Sequence, residues 1–178
     1  MSEFAQTFLD NPAAAAFGTV GLLCQMIWPV FRVRKAIMTV QFGMGADYGM
    51  QYALLDAWSG AGVCCIGATQ TAVAFFAGER PWLRYVGVGF LPVAGAVSYF
   101  TWSGIASLFA LIAVTLVMIG RLQKDTVNLR IFLLAAAPFG IGYDIAVGAL
   151  PALMGGTISV CIAVAMLARE LRSRAARN

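Results

Sequence analysis

The feature that most restricts how this chain can fold is a set of seven long apolar segments. Short polar or charged connections separate them. Most of the segments approach the roughly 17–25 residues that a helix needs to cross a bilayer at a rise of about 1.5 Å per residue. Hydrophobic residues make up 61% of the sequence and charged residues 11%, so a water-soluble domain of this size could not bury so much apolar surface. The sequence therefore predicts an all-α polytopic membrane protein, with transmembrane helices near residues 17–31, 36–55, 59–78, 85–100, 105–120, 131–149 and 152–168.

The positions of the basic residues predict how these helices are oriented. With seven crossings, all 12 lysines and arginines fall on one side of the membrane, including the tail "RELRSRAARN". The connections on the other side, such as 56–59 and 101–104, are acidic or neutral. Because basic connections stay in the cytoplasm, the N-terminus is predicted outside and the C-terminus inside. The tail then serves as an anchor beside anionic lipids, and the pI near 9.1 requires no nucleic-acid partner.

A short phrase repeats along the chain. The pattern A-V-A-x-x-A-x-E ends at Glu79 and again at Glu170, and at this offset of 91 residues Tyr52 falls on Tyr143. The offset places the first three helices on the last three, in the same direction through the membrane, as in a parallel repeat. Coincidence among Ala/Val-rich helices is the alternative. The predicted 3+1+3 plan has five parts: an extracytoplasmic segment 1–16, a first repeat 17–78, a connector with the fourth helix 79–104, a second repeat 105–170 and a basic cytoplasmic tail 171–178.

This plan and several short motifs resemble known families. The 3+1+3 arrangement is similar to that of the SWEET and PQ-loop transporters. Over almost its full length the chain also resembles the bacterial inner-membrane YgjV family, in "RVRKAIMTVQ" (32–41), "QYALLDAWSGA" (51–61), "TWSGIASL" (101–108), Arg130 and Tyr143. The resemblance implies a multi-pass protein of the bacterial inner (plasma) membrane. Three positions depart from what is usual in that family. This chain has Gln51 in place of a histidine, Asp56 in place of a glycine and Gln70 in place of an arginine.

Polar side chains inside the apolar segments are candidates for a functional site, because such groups are costly at membrane depth and often functional. Each of the first three helices carries one such residue: Gln25, Asp47 and Gln70. At a rise of about 1.5 Å per residue, all three lie close to one level near the midplane of the membrane. Asp47 is predicted to face the bundle interior and to find hydrogen-bond donors among the two glutamines and the tyrosines. It is then either a structural hydrogen-bonding group or a proton-linked binding group.

The second and sixth segments supply further candidates. Tyr48 and Gln51 share a face of the second segment with Asp47, whereas Tyr143 and Asp144 lie nearer the outer end of the sixth. The predicted substrate-binding residues are Gln25, Asp47, Tyr48, Gln51, Gln70, Tyr143 and Asp144.

These residue types favour transport over catalysis. The chain has no histidine, so Ser-His chemistry and histidine-based metal sites are unavailable, and no enzyme activity, metal or cofactor is predicted. The leading hypothesis is a transporter or facilitator with a midplane polar site that moves a small polar solute, or a proton, across the lipid bilayer. The alternative is a non-transporting membrane assembly or structural subunit. Association with further copies of the chain is left open.

Overall fold

The computed structural model describes residues 10–77 and 82–175, and the regular structure in these two ranges is helical. Their seven α-helices are α1 (Pro12–Ile27), α2 (Arg34–Leu54), α3 (Trp58–Ala77), α4 (Leu83–Phe100), α5 (Ile105–Arg121), α6 (Thr126–Val147) and α7 (Leu150–Ala175). Each contains most of one predicted apolar segment, so the all-α class is confirmed. Glu79, Arg80, Arg177 and most of the predicted segment 1–16 lie outside the described residues.

Local sequence explains where the helices begin and end. The Asn11 side chain accepts a hydrogen bond from the backbone N–H of Ala14 (3.1 Å) and so caps α1. Asp125 caps α6 in the same way, through the backbone N–H of Asn128 (3.3 Å). Gly148, at a φ of 71°, ends α6 in the left-handed conformation that glycine adopts easily. The connections that the structure describes in full contain two to six residues, so the helices that they join run antiparallel.

The helices have the length and surface expected of membrane spans. Among the described residues, four stretches are long and apolar enough to cross a bilayer: Pro12–Val30, Trp58–Phe76, Thr126–Val147 and Leu150–Ala175. Helices α4 and α5 are apolar but shorter, and α2 carries polar residues along its length. Large apolar side chains such as Val20, Ile145 and Val164 remain exposed on the outside of the bundle, a surface suited to contact with lipid.

Six helices form a ring, with α4 outside it. In order around the ring they are α1, α2, α3, α5, α6 and α7, with α7 packed back against α1, while α4 packs against α3 and α5. We call α1–α3 the first half and α5–α7 the second half. Exchanging the halves leaves the order of neighbours unchanged, but the 3+1+3 repeat itself stays a prediction. Superposition of residues 17–78 on residues 108–169 stays a prediction.

The two ends of the bundle differ in charge, and this difference leads to a test of orientation. Connections 28–33 and 122–125 mark the basic end, and connections 55–57 and 101–104 mark the opposite end. A reporter that works only in the cytoplasm should be active when fused after Lys124 or Asn178 and inactive when fused after Gly104 or before Met1, because basic connections stay in the cytoplasm. The reverse pattern would show that the predicted orientation is wrong.

Candidate functional site

Two tyrosines and an aspartate meet inside the bundle, near the end opposite the basic end. Tyr52 of α2 donates a hydrogen bond to the carboxylate of Asp144 of α6. Its ring meets that of Tyr143 edge-on, with centroids 5.3 Å apart. Asp144 is only 5% exposed, and both tyrosines are buried. Because a carboxyl group at membrane depth needs a donor, Tyr52 explains how Asp144 is accommodated, and the bond joins the two halves.

Tyr143 makes a second connection between the halves. Its hydroxyl lies 3.4 Å from Oγ of Ser59 and donates to the backbone oxygen of Ala57, also at 3.4 Å. Gly60 permits this approach, because a Cβ there would lie 2.7 Å from a carbon of the tyrosine ring. The first turn of α3 therefore receives the hydroxyl end of Tyr143.

A polar pair lies deeper in the bundle, where α1, α2 and α7 meet. Tyr48 donates a hydrogen bond to Oε1 of Gln25. Gly155 of α7 lies directly against this pair, since a Cβ at this position would lie 2.6 Å from Oε1 of Gln25 and 2.7 Å from the Tyr48 hydroxyl. The pair is thus located at a contact between the first and second halves.

Arg121 ends α5 near the basic end, but its side chain points into the bundle. Nε donates to Oε1 of Gln41 at 3.1 Å, and Nη1 donates to the backbone oxygen of Gly67 at 2.8 Å. Arg121 is 3% exposed and Gln41 is 1% exposed. Arginines near helix ends usually extend their charged group toward the membrane surface. Arg121 instead contributes a positive charge to the interior.

Two adjoining cavities lie among these polar groups. One has a volume of about 180 Å³ and borders Tyr48, Arg121 and Tyr143, and the other has a volume of about 140 Å³ and borders Gln41 and Ser159. We call the two together the central cavity. Their other walls are mainly small or apolar residues. The residues shared by the two cavities come from both halves: Gln25, Met44, Ala113, Val117, Gly140 and Asp144.

Two more arginines join the halves at the basic end. Arg34 of α2 donates to the backbone oxygen of Arg121 at 3.0 Å and to a carbonyl oxygen near the end of α3 at 3.2 Å. Arg130 of α6, which is 1% exposed, donates to the backbone oxygens of Pro29 (2.8 Å) and Phe31 (2.7 Å). The central cavity therefore lies between hydrogen bonds that cross from one half to the other at both ends.

The structure brings together four of the seven predicted site residues. Gln25, Tyr48, Tyr143 and Asp144 border the central cavity. The other three do not border it. Gln70 is fully buried, and its amide donates to the backbone oxygens of helices α4 and α5, both at 3.3 Å. Gln51 is fully buried against Gly18 of α1, and its amide has no hydrogen-bond partner among the described residues.

Asp47 lies apart from the polar groups that the sequence predicts as its hydrogen-bond donors. It is partly exposed, on the flank of α2 near Cys24 of α1, and no hydrogen bond joins it to another described residue. The expectation that Gln25, Gln70 and the tyrosines would be its donors is therefore wrong. A rotation of about 100° per residue turns the next residue, Tyr48, into the bundle and leaves Asp47 on the side. Its proposed binding role stays a prediction.

Sequence reasoning missed the arginines of the site. The sequence identifies three basic residues here that indicate how the helices are oriented in the membrane: Arg34, Arg121 and Arg130. Their positions in the sequence do not reveal whether each side chain points outward or inward. Gln41 shares a helical face with Tyr48, which is the one signal in the sequence that placed it toward the interior. The direction of a long arginine side chain depends on acceptors from other helices.

Comparison with known proteins assigns the chain to a family. The match covers residues 12–174, and the family is described as a bacterial inner membrane protein. No curated protein and no solved structure gives a significant match. The match agrees with helices that are long and apolar enough to span a bilayer, and it places the chain in the bacterial inner membrane. The chain thus belongs to the Imp-YgjV family of bacterial inner membrane proteins.

Proposed function

We propose that this protein carries a small polar solute across the inner membrane by alternating access between its two halves. The observation that supports the proposal is the central cavity, whose polar border residues Gln25, Tyr48, Arg121 and Asp144 come from both halves. A solute in this cavity contacts both halves at once. A change in their relative orientation then exposes it to one side or the other.

The cross-half hydrogen bonds act as two gates in this mechanism. Arg34 and Arg130 hold the halves together at the basic end, and Tyr52 and Tyr143 hold them at the opposite end. A hydrogen bond contributes about 0.5–1.5 kcal/mol net, and about 1.5–3 kcal/mol when one partner is charged. Opening one end therefore costs several kcal/mol, which a solute can offset by binding the two states with different affinity.

The predicted 3+1+3 plan is consistent with such a cycle. Two equivalent triplets around an axis normal to the membrane can rock against each other about a site between them, as in transporters built from repeats. The predicted plan is similar to that of SWEET transporters, and this analogy in architecture does not identify a solute. Asp144, bonded to Tyr52 inside the bundle, is the candidate group for coupling to a proton.

A test of the proposal is whether water-soluble reagents reach the central cavity from both sides. The four native cysteines are first replaced by alanine, and Ala137, which borders the cavity, is replaced by cysteine. A membrane-impermeant thiol reagent should label Ala137→Cys in right-side-out and in inside-out vesicles, because thiols react as thiolates and need contact with water.

The matched control is Ala135→Cys, on the same helix two residues away and exposed on the outer surface of the bundle. Lipid should protect it from the reagent on both sides. Labelling of Ala137→Cys from neither side would mean a dry, packed centre. The protein would then be the non-transporting assembly or structural subunit, and the proposal would be wrong.

A further inference from the structure

Arg121 places a positive charge inside the bundle, and no acidic side chain among the described residues forms an ion pair with it. It is 3% exposed, and the ion pairs found among the described residues involve Arg130 and Arg174 instead. Its acceptors, the Gln41 amide and the backbone oxygen of Gly67, are neutral. A buried charge without a counter-charge is strongly unfavourable, so an anion in the central cavity would stabilise the interior.

Asp144 does not neutralise Arg121, although both border the central cavity. Their partners on α2 are Gln41 for Arg121 and Tyr52 for Asp144. These partners are separated by eleven positions in the sequence, which corresponds to about 16 Å along a helix. Arg121 and Asp144 are therefore bonded at different levels of α2 and form no contact ion pair among the described residues. The cavity therefore has a cation toward its basic end and a separate carboxyl group toward the other.

The guanidinium group of Arg121 is held in one orientation. Its Nε donates to Oε1 of Gln41 at 3.1 Å, and its Nη1 donates to the backbone oxygen of Gly67 at 2.8 Å. Gly67 leaves room for the group, since a Cβ there would lie 3.3 Å from Nη1. A guanidinium group carries five N–H donors and these bonds use two, so three remain for a ligand in the cavity.

We propose that Arg121 binds the carboxylate of a short aliphatic monocarboxylate, and that this anion is the solute of the transporter; the inference rests on the proposed transport function. The planar fork of a guanidinium group matches the two oxygens of a carboxylate. One buried cation neutralises one negative charge, which favours a monoanion over a phosphate dianion. Met44, Val114 and Val117 border the same cavity and provide an apolar surface for the aliphatic body.

Ligand binding to the purified full-length protein tests the charge requirement. Butyrate should raise the thermal unfolding midpoint in a saturable manner, because a ligand that binds the folded state stabilises it. Butyramide has nearly the same shape without the charge, and butylamine carries the opposite charge, so neither should produce a shift. Inorganic phosphate should also have no effect. Equal shifts with butyrate and butyramide, or with butyrate and phosphate, would contradict the proposal, as would no shift with butyrate.

Substitutions test whether Arg121 is the group that recognises the anion. Arg121→Lys retains the charge but loses the planar fork, and the apparent Kd for butyrate should rise at least about tenfold. Arg121→Gln should abolish binding. Arg174→Gln, at an exposed arginine of the basic end, is the matched control and should bind butyrate as the unaltered protein does. An unchanged Kd in Arg121→Lys would refute the assignment.

A third measurement leaves Arg121 in place and so does not depend on the folding of its variants. Ala113 borders both parts of the central cavity, and butyrate should slow the labelling of Ala113→Cys by a thiol reagent, whereas butyramide should not. Equal protection by both compounds would contradict the proposal. The two proposals fail with different results. Labelling of Ala137→Cys from both sides without butyrate binding leaves the transporter standing and shows that the solute class is wrong, whereas labelling from neither side contradicts transport itself.

Discussion

Replacing Arg130 with leucine is expected to lower the free energy of unfolding by about 3–6 kcal/mol, because two hydrogen bonds to a charged group are lost and each contributes about 1.5–3 kcal/mol. Arg130 is 1% exposed and donates to the backbone oxygens of Pro29 and Phe31. Leucine leaves both oxygens without their donor. It also removes the ion pair between Nε and the carboxylate of Glu170, whose atoms lie 3.4 Å apart. Buried acceptors without donors are unfavourable in the low-dielectric interior.

The change in stability is measurable as a shift of the unfolding midpoint in detergent. Arg174→Leu is the control, because Arg174 also pairs with Glu170 and with Asp125 (2.6 Å) but lies on the surface. Exposed ion pairs contribute little to stability, so this variant should shift the midpoint far less. Similar shifts for the two variants would mean that water reaches the acceptors of Arg130, and the basic gate would then lack its main element.

Asp144→Leu is expected to destabilise the protein, whereas Asp47→Leu is not. Asp144→Leu leaves the buried Tyr52 hydroxyl without its acceptor, which costs about 1–3 kcal/mol. Asp47 is partly exposed and has no hydrogen-bond partner among the described residues. An aspartate near the bilayer centre is unfavourable by about 2.5–3.5 kcal/mol on insertion scales. Asp47→Leu should therefore leave stability unchanged or raise it.

The unfolding midpoints of the two leucine variants provide the measurement, and asparagine variants separate structure from function. Asp144→Asn still accepts from Tyr52, so it should fold with nearly unchanged stability but lose any proton-dependent uptake. Asp47→Asn should retain that uptake. If Asp47→Leu destabilises the protein and Asp47→Asn abolishes uptake, then Asp47 belongs to the site, as the sequence first indicated, and the role assigned to Asp144 is wrong.

These variants also separate the gates from the binding site. Weakening the basic gate through Arg130 should change the balance between the two access states while leaving the bound solute's contacts intact. In the proposed mechanism, substitution of Arg121 instead removes a contact of the solute itself. An effect on the sidedness of Ala137→Cys labelling is therefore expected for a conservative gate variant such as Arg34→Lys, whereas an effect on butyrate affinity is expected for Arg121→Lys.

The sequence by itself determined the fold class, the approximate helix positions and the membrane location. Insertion depends on the transfer free energy of each segment, a local sum over its own residues, so helices such as α3 and α5 could be located without knowledge of their neighbours. Polar character at membrane depth also identified Gln25, Tyr48, Tyr143 and Asp144, four residues that border the central cavity.

Only the tertiary structure decided which polar groups meet. Neighbouring positions on α2 differ by about 100° in direction. Tyr48 therefore lies in the interior and Asp47 on the flank, although they are adjacent in sequence and lie at nearly the same depth in the membrane. Arg121 sits at a helix end, and its inward direction depends on acceptors that α2 and α3 supply. Helix rotation and the reach of a long side chain are determined by packing between helices, through close approaches such as that of Gly155 to Tyr48. The composition of a single segment contains no information about either.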